Sequence, residues 1–138
     1  MNWKNILIAL GLIVVLAAGI GYSIINKPHK NITKAESDFV VTAPKLLQDF
    51  KDNEAEANKK YLDKVVKVKG AIQSVSKEEG GMYSVMLATG DPMSGVSCTI
   101  EQQQENNFNY QSGDSITLKG VCTGMLMDVV LVRCVVAE

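Results

Sequence analysis

The residues best suited to nucleophilic or metal chemistry are few in this chain of 138 residues: three cysteines and one histidine. Cys98, Cys122 and Cys134 are 24 and 12 residues apart, so they lack the close spacing of cysteine and histidine ligands in zinc sites. His29 lies in a polar segment near the N-terminus, so no serine–histidine or cysteine–histidine pair is expected in the later part of the chain. We therefore expect no catalytic residues, no metal site, no cofactor and no enzymatic activity.

The distribution of charge argues against nucleic acid as a partner. The formal charge at pH 7 is −1, from fourteen basic and fifteen acidic residues. Residues 65–138, which show the most regular pattern, carry five basic and eight acidic residues. A surface that binds nucleic acid needs an excess of cations to contact the phosphates, and this segment has the opposite balance.

An uncharged segment near the N-terminus has the length of a membrane span. Residues 6–25 contain only Tyr22 and Ser23 as polar side chains. At about 1.5 Å per residue, a helix of this length crosses a hydrocarbon layer of roughly 30 Å. The anchor residues include Ile6, Leu7, Val14, Val15, Leu16 and Ile25. We therefore predict a transmembrane anchor over residues 1–27, a polar stalk over 28–41 and a folded domain over 42–138.

A cleaved secretory signal is the alternative interpretation of the N-terminal segment, with small residues between 17 and 21 at the cleavage site. Cleavage there would leave residues 20–25 as an exposed apolar end, and Lys4 alone precedes the apolar run, so we favour the anchor. Residues 16–18 resemble the start of a bacterial lipoprotein signal, but Gly19 stands where the lipidated cysteine would be.

The signals for orientation conflict. Lys27, Lys30 and Lys34 follow the span and outnumber Lys4, so the positive-inside rule places the domain in the cytoplasm. A short N-terminal tail, however, commonly stays inside while the domain is exported. We predict a protein that crosses the bacterial inner (cytoplasmic) membrane once and has an extracytoplasmic domain.

The domain begins with a pattern typical of an amphipathic helix. Thr42 is a suitable N-cap, and Pro44 falls in the first turn, where its missing N–H costs nothing. Apolar residues then recur at helical spacing, at Ala43, Leu47, Phe50, Ala57 and Tyr61. Asn53 offers an alternative start for a second helix, with Glu56 three residues later.

After residue 64 the apolar period changes to two, which predicts β-strands. Five strands are expected, over residues 66–72, 83–87, 96–100, 116–122 and 129–136. Five short strands with a longer connection between the third and fourth are the pattern of an OB-fold barrel. Gly70 and Gly120 suit the strongly bent first and fourth strands. The fold class is therefore mainly β: a five-stranded OB-fold barrel preceded by an amphipathic helix and a transmembrane helix.

The cysteines fall on strand positions that face the barrel interior, where a free thiol packs as a small apolar side chain. The third and fifth strands of an OB barrel are neighbours. Cys98 and Cys134 could therefore form a disulfide in an exported domain, which would leave Cys122 without a partner.

Several short segments resemble the bacterial tRNA-anticodon-like (tRNA_anti-like) OB-fold family. They are residues 57–70, 96–98, 113–114, 118–120 and 129–131, with Cys134 near the end. Residues 26–29 are also similar to family members found in Bacteroidetes. The resemblance implies an OB-fold in a small protein that is anchored in a membrane or exported. It implies no catalytic residues and no particular substrate.

OB-folds usually bind their ligands on the second and third strands, between two flanking loops. With Tyr83, Val85 and Leu87 inward, that surface presents no lysine or arginine, and exposing Tyr83 instead would offer only one ring. The candidate binding residues are Met82, Ser84, Met86, Met125, Leu126 and Met127. Methionines make a deformable apolar surface, so we predict a protein or peptide partner at the cell envelope. Oligonucleotide or oligosaccharide binding in the same groove is the alternative, and core packing or lipid contact by these methionines also remains open.

Overall fold

The computed structural model describes residues 2–25, 31–101 and 108–137, in two compact units that divide after Lys30. The first unit contains α1 (Trp3–Ile25), which over Trp3–Ser23 is long and apolar enough to cross a membrane. The predicted anchor residues Ile6, Leu7, Val14, Val15 and Leu16 are exposed on it, and Ile25 ends it. This helix fits a single-pass anchor or a signal sequence. Residues 26–30, which include His29 and the first part of the predicted stalk, lie outside the described residues.

Two helices form where the sequence indicated one amphipathic helix with an alternative start. They are α2 (Ala43–Asp52) and α3 (Glu54–Tyr61). The Oγ1 of Thr42 accepts a hydrogen bond from the first turn of α2 at 3.4 Å, which confirms the predicted N-cap. The Oδ1 of Asn53 accepts a hydrogen bond from the first turn of α3 at 3.2 Å, so a second helix begins at the alternative start.

Strands β2 to β6 correspond to the five predicted strands and close into a barrel. The described strands are β1 (Phe39–Thr42), β2 (Val65–Lys77), β3 (Tyr83–Leu87), β4 (Val96–Ile100), β5 (Ser115–Met125) and β6 (Val129–Val136). They pair in the order β1-β2-β3-β4-β6-β5, and β2 pairs again with β5. Within the barrel only β4 and β6 are parallel, as in an OB-fold. The predicted fold is therefore confirmed, with β1 as a short parallel addition to β2.

Two glycines allow close approach at the places where β2 and β5 bend. A Cβ at Gly120 would collide with the Sγ of Cys134 on β6. A Cβ at Gly70 would lie 3.0 Å from the Cβ of Ala43, the first residue of α2. Glycine at these two positions lets a strand and a helix pack directly against the backbone.

The apolar faces of α2 and α3 cover one end of the barrel. Their buried residues, which join one cluster with the inward strand residues, are Ala43, Leu46, Leu47, Phe50, Ala57 and Tyr61. The rings of Phe50 and Tyr61 stack with their centroids 6.0 Å apart. The Tyr61 hydroxyl donates a hydrogen bond of 2.6 Å to the carboxylate of Asp49. Burial and this hydrogen bond raise the pKa of Tyr61 to about 12.

Residues 31–38, here named the strap, pack on the outer side of the barrel. Ile32 is buried with Val65, Val121 and Val135 in a second small apolar cluster. The carboxylate of Asp38 accepts a hydrogen bond of 2.9 Å from the backbone N–H of Val65. The polar segment predicted as a stalk thus contributes an ordered layer to the second unit, from Asn31 onward.

The three cysteines are buried and free. Cys134 and Cys98 form a thiol–thiol hydrogen bond, and this contact together with burial raises the pKa of the Cys134 thiol well above its usual range. Burial likewise raises the pKa of Cys122. Thiols that are buried in an apolar core act as small apolar side chains, which is the role predicted for them.

Candidate functional site

The outward side chains of β3 and β4 form the surface on which OB-folds usually bind. Val85 and Leu87 point inward and are fully buried. Their neighbours point outward and pair across the strands, Ser84 with Thr99 and Met86 with Ser97. These four residues, Ser84, Met86, Ser97 and Thr99, are here named the strand face. The strand face is uncharged, half-buried and polar except for Met86.

The structure places Met82 and Met86 at different ends of the strand face. They are four residues apart, which corresponds to about 13 Å along a strand. Met86 lies against Gly95, where any side chain would collide with the Met86 Sδ. Gly95 in turn contacts the loop between β5 and β6, because its N–H donates to the carboxylate of Asp128 at 2.7 Å. Met86 therefore adjoins that loop, whereas Met82 precedes β3 at the far end.

Three apolar side chains project from loops at the Met86 end. Leu126 is 91% exposed, Met127 is 72% exposed and Met93 is 77% exposed. Leu126 and Met127 are predicted site residues, and Met93 lies in the neighbouring loop between β3 and β4. We name these three residues the loop tips. Large apolar side chains with this much exposure on adjacent loops mark a surface that a partner can cover.

The loop that carries Met93 is held in place by Asp91. The Asp91 carboxylate accepts hydrogen bonds from the backbone N–H groups of Met93 at 2.7 Å and Ser94 at 3.2 Å. It also forms an ion pair with Lys51 on α2. The Lys51 ammonium and the Met93 N–H both stabilise the ionised carboxylate, so the pKa of Asp91 lies below its usual value. Met93 thus lies in a turn whose backbone is fixed by hydrogen bonds to Asp91.

A groove of about 400 Å³ separates the β5–β6 loop from α3. Leu62, Met125 and Leu126 supply its main apolar walls, and Glu54 lies at its edge. Met125 is half-buried and packs on the barrel core, so only part of its side chain faces the groove. The groove extends the apolar surface of the loop tips toward α3.

Acidic side chains lie at the groove and beyond the opposite end of the strand face. Glu78 and Glu79 are exposed in the connection between β2 and β3, and Glu54 lies on the groove. Neither the strand face nor the loop tips contain a lysine or arginine. Residues 31–138 as a whole carry eleven basic and fifteen acidic residues, a net charge of −4. The domain that carries the apolar surface is therefore negatively charged overall.

A second surface lies at the opposite end of β3. The rings of Tyr83 and Phe108 have centroids 5.1 Å apart, and those of Phe108 and Tyr110 are also 5.1 Å apart. We name these three rings the aromatic row. The Nζ of Lys77 lies 5.8 Å from the centroid of Tyr83. The expectation of a single ring without a cation at Tyr83 is therefore wrong, because residues from the connection after β4 add two rings and β2 adds the lysine.

The family assignment rests on a sequence profile that matches residues 1–136. The chain belongs to the tRNA_anti-like family. This agrees with the barrel topology and with the resemblance noted in the sequence. The chain is an OB-fold, tRNA-anticodon-like binding domain preceded by an apolar helix. None of the curated proteins matches the chain significantly.

Solved structures with the same fold as this tRNA_anti-like domain include a lipoprotein from Klebsiella pneumoniae subsp. pneumoniae that has been proposed to bind nucleic acid. The two chains share 18% sequence identity with a TM-score of 0.60, over 82% of this chain and all of the other. A protein from Leishmania major proposed to be an aspartyl-tRNA synthetase has 12% identity and a TM-score of 0.47, over 87% of this chain and 25% of that one.

A metal site in the described part of this tRNA_anti-like domain would need a cluster of ligand side chains. In residues 2–25, 31–101 and 108–137, no three histidine, cysteine, aspartate or glutamate side chains lie close enough to hold a metal ion. The thiols of Cys98 and Cys134 are buried and contact each other inside the barrel. The candidate surfaces for binding are the strand face with the loop tips and the aromatic row.

Proposed function

We propose that this chain is a membrane-tethered binding module that recognises a segment of a protein partner through the loop tips and the adjoining strand face. The observation that carries the proposal is the exposure of Leu126 and Met127, at 91% and 72%, beside the hydrogen-bonded turn that holds Met93. Burying such side chains against a partner gains roughly 1.5–3 kcal/mol each. Because hydrogen bonds already fix the turns that carry these side chains, the backbone of the loops loses little conformational freedom on binding, which favours affinity.

The charge around the loop tips supports one kind of partner. Glu54 lines the groove beside Leu126, and Glu78 and Glu79 lie beyond the far end of the strand face. A segment that combines apolar side chains with lysine or arginine would bury its apolar groups on the loop tips and place its cations near these carboxylates. An acidic segment would be repelled by the net charge of −4 on residues 31–138.

The test is site-specific photocrosslinking of the full chain in cells, with a benzophenone side chain at Leu126. Val40 is the matched control position, because it is also apolar and 70% exposed but lies on β1. We expect a discrete protein adduct from position 126 that disappears in Met127→Asp. An adduct of equal yield from position 40, or an adduct from position 126 that nuclease removes, would contradict a protein partner at this site.

Once the crosslinked segment is known, its affinity can be measured directly with the full chain in detergent. Leu126→Asp should weaken binding at least about 30-fold, the loss expected when a central apolar contact of roughly 2 kcal/mol is replaced by a charge. Val40→Asp should leave the affinity unchanged. Equal losses in both variants would show that the loop tips are not the contact.

We also propose that α1 remains as a single-pass anchor in the bacterial inner membrane and that the domain faces the extracytoplasmic side. The helix length supports the anchor, and the Klebsiella protein of the same fold is itself a lipoprotein, which agrees with an envelope location. Carbonate extraction should leave the full chain in the membrane fraction. Added protease should cleave the domain in spheroplasts without lysis; cleavage only after lysis would place the domain in the cytoplasm.

A second candidate function is the binding of single-stranded nucleic acid or an oligosaccharide on the aromatic row. Three neighbouring rings next to Lys77 supply both stacking surfaces and a cation, and the Klebsiella lipoprotein has been proposed to bind nucleic acid. If this is the function, a labelled oligothymidylate should bind the full chain with an affinity that falls as salt rises. Tyr110→Ala should then weaken binding about ten-fold or more, while Leu126→Asp should have no effect.

A further inference from the structure

The methionines of the described domain differ in how much of their side chain is exposed. Met93 is 77% exposed and Met127 is 72% exposed, whereas Met82, Met86 and Met125 are half-buried. A thioether sulfur takes up an oxygen atom from an oxidant, and the rate of this reaction follows the exposure of the side chain. Among the described residues, Met93 and Met127 are therefore the methionines that an oxidant reaches first.

The two exposed thioethers belong to one surface, because Gly95 connects the loops that carry them. Its N–H donates a hydrogen bond of 2.7 Å to the carboxylate of Asp128, and its carbonyl oxygen accepts one of 3.1 Å from the N–H of Val129. Met93 lies two residues before Gly95, and Met127 immediately precedes Asp128. Oxidation of both methionines would therefore alter two of the three loop tips together.

The backbone of both loops is held by groups other than the thioethers. The Asp91 carboxylate accepts hydrogen bonds from the N–H groups of Met93 and Ser94. In the other loop the N–H of Leu126 donates a hydrogen bond of 3.2 Å to the carbonyl oxygen of Asp128. Because these bonds join backbone and carboxylate groups only, they remain when a sulfur is oxidised. Oxidation thus changes the chemistry of the surface and leaves the turns in place.

Met86 and Met125 provide an internal comparison. The Sδ of Met86 lies so close to Gly95 that a Cβ at that glycine would collide with it. The Met125 side chain packs on the barrel core. Protein atoms cover part of each of these side chains, so their oxidation should be slower than that of the loop tips.

We propose that oxidation of Met93 and Met127 to methionine sulfoxide abolishes binding at the loop tips, so that a peroxide regulates this surface. The inference rests on the proposed function of the loop tips. With hydrogen peroxide, an electron pair of the sulfur forms the S–O bond while the O–O bond breaks. The proton on the transferred oxygen moves to the leaving hydroxide, which departs as water. The sulfur loses two electrons and the peroxide gains two.

The oxidised side chain is unsuited to the contact that the thioether makes. A thioether gains free energy when a partner buries it, whereas a sulfoxide is polar and loses its hydrogen bonds to water against an apolar surface. A partner that covers all three loop tips would therefore lose two of its apolar contacts. Methionine sulfoxide reductases return the sulfoxide to the thioether, so the change is reversible.

One measurement tests the reactivity of the two sites and needs no partner. The full chain in detergent is treated with hydrogen peroxide, the reaction is stopped with catalase, and peptide mass spectrometry follows each methionine. We expect Met93 and Met127 to be oxidised about five-fold faster than Met86 or more. The circular dichroism of the barrel should not change. Equal rates at Met86, Met93 and Met127 would overturn the proposal.

A second measurement tests the effect on binding, with the benzophenone side chain at position 126 in cells. The cells are exposed briefly to hydrogen peroxide and then to catalase before irradiation, and the sulfoxide content of the recovered chain is determined. The adduct yield after treatment, relative to the yield before it, should fall at least about ten-fold. Without oxidant, Met93→Gln with Met127→Gln should also lower the yield, because glutamine is polar and of similar length.

Matched variants show which sulfurs are responsible. In Met93→Leu with Met127→Leu the relative yield should stay near its untreated value, because leucine is apolar and has no sulfur to oxidise. In Met86→Leu it should fall as in the wild type.

An equal fall in the leucine double variant would place the oxidised group on the partner and overturn the proposal. A yield that is unchanged after both sulfoxides have formed would also overturn it and leave the proposed function intact. No adduct before treatment would contradict the proposed function itself, together with the regulation that rests on it.

Discussion

The two ends of the β3–β4 pair are closed by different means. At one end Leu87 and Val96 are fully buried in the cluster that includes the apolar faces of α2 and α3, and the loop tips project beyond them. At the other end Tyr83 is half-buried and packs against Phe108, with Tyr110 on the far side of that ring. The first end is completed by helices and the second by rings that stay partly exposed.

This difference separates stability from binding. Side chains buried under α2 and α3 contribute fully to the free energy of unfolding but offer nothing to a ligand. Half-buried rings contribute less to stability and leave a face available for stacking. The loop tips contribute least to stability, since they pack neither in the core nor with the aromatic row. Their side chains are therefore free to contact a partner. Substitutions at the three places should therefore lower the free energy of unfolding by amounts that decrease from the helix-covered core to the rings to the loop tips.

The largest effect is expected for Phe50→Ala on α2. Phe50 is 2% exposed and stacks on Tyr61, so its removal leaves a cavity that the helices can fill only in part. We expect the free energy of unfolding to fall by about 4 kcal/mol. Urea titration of the full chain in detergent, followed by the circular dichroism of the barrel, measures this change.

The corresponding change at the other end is Phe108→Ala. Phe108 is half-buried between two rings, so we expect a loss of about 2 kcal/mol, roughly half that of Phe50→Ala. The same urea titration serves for both variants. A loss at Phe108 as large as that at Phe50 would show that the aromatic row is part of the core and would remove the reason to treat it as a binding surface.

Most of the barrel could be predicted because alternation along a strand is a local property. In β4, for example, Val96, Cys98 and Ile100 are buried and the two residues between them are not. The N-caps at Thr42 and Asn53 could also be predicted from the sequence, since an N-cap depends only on its own side chain and the next turn of backbone.

The strap could not be predicted in the same way, because its packing depends on residues far away in sequence. Ile32 is the one large apolar residue between 31 and 38. Nothing near it in the sequence indicates that it packs against Val65, Val121 and Val135. A signal was nonetheless present: each of these valines adjoins a second buried or apolar residue, which breaks the alternation and indicates a strand covered on both sides.

The exposure of the candidate site residues could be predicted in part for the same reason. Leu126 and Met127 could be predicted as exposed because they lie in a turn between two strands. Met93 was missed because its presentation depends on Asp91, whose hydrogen bonds shape the loop. The aromatic row was missed because Phe108 meets Tyr83 only through the connection between β4 and β5.

A smaller and pH-dependent effect is expected for Tyr61→Phe at the helix-covered end. The variant loses the hydrogen bond to Asp49, which should cost about 1.5 kcal/mol at neutral pH. The pKa of Tyr61 is raised from 10.0 to about 12, so the unfolded chain ionises first as pH rises. This contribution is therefore complete below pH 10 and is lost as pH rises toward 12.

Urea titrations at several pH values should show the wild type losing more stability than Tyr61→Phe across that alkaline range. Tyr110→Phe is the control, because it removes one phenol hydroxyl from the aromatic row and leaves Tyr61 in place. A difference between wild type and Tyr61→Phe that stays constant up to pH 12 would mean that the hydrogen bond to Asp49 does not hold the proton on Tyr61.

The smallest effect on stability is expected where the effect on binding is proposed to be greatest. Leu126 is 91% exposed, so Leu126→Asp removes almost no buried area and should change the free energy of unfolding by no more than about 0.5 kcal/mol. The same urea titration that reports about 4 kcal/mol for Phe50→Ala checks this value. A loss above about 1.5 kcal/mol would mean that Leu126 packs on the domain itself, because only a buried side chain costs that much. The crosslinking and affinity results at position 126 would then report on folding, and the loop tips would have to be assigned to the core.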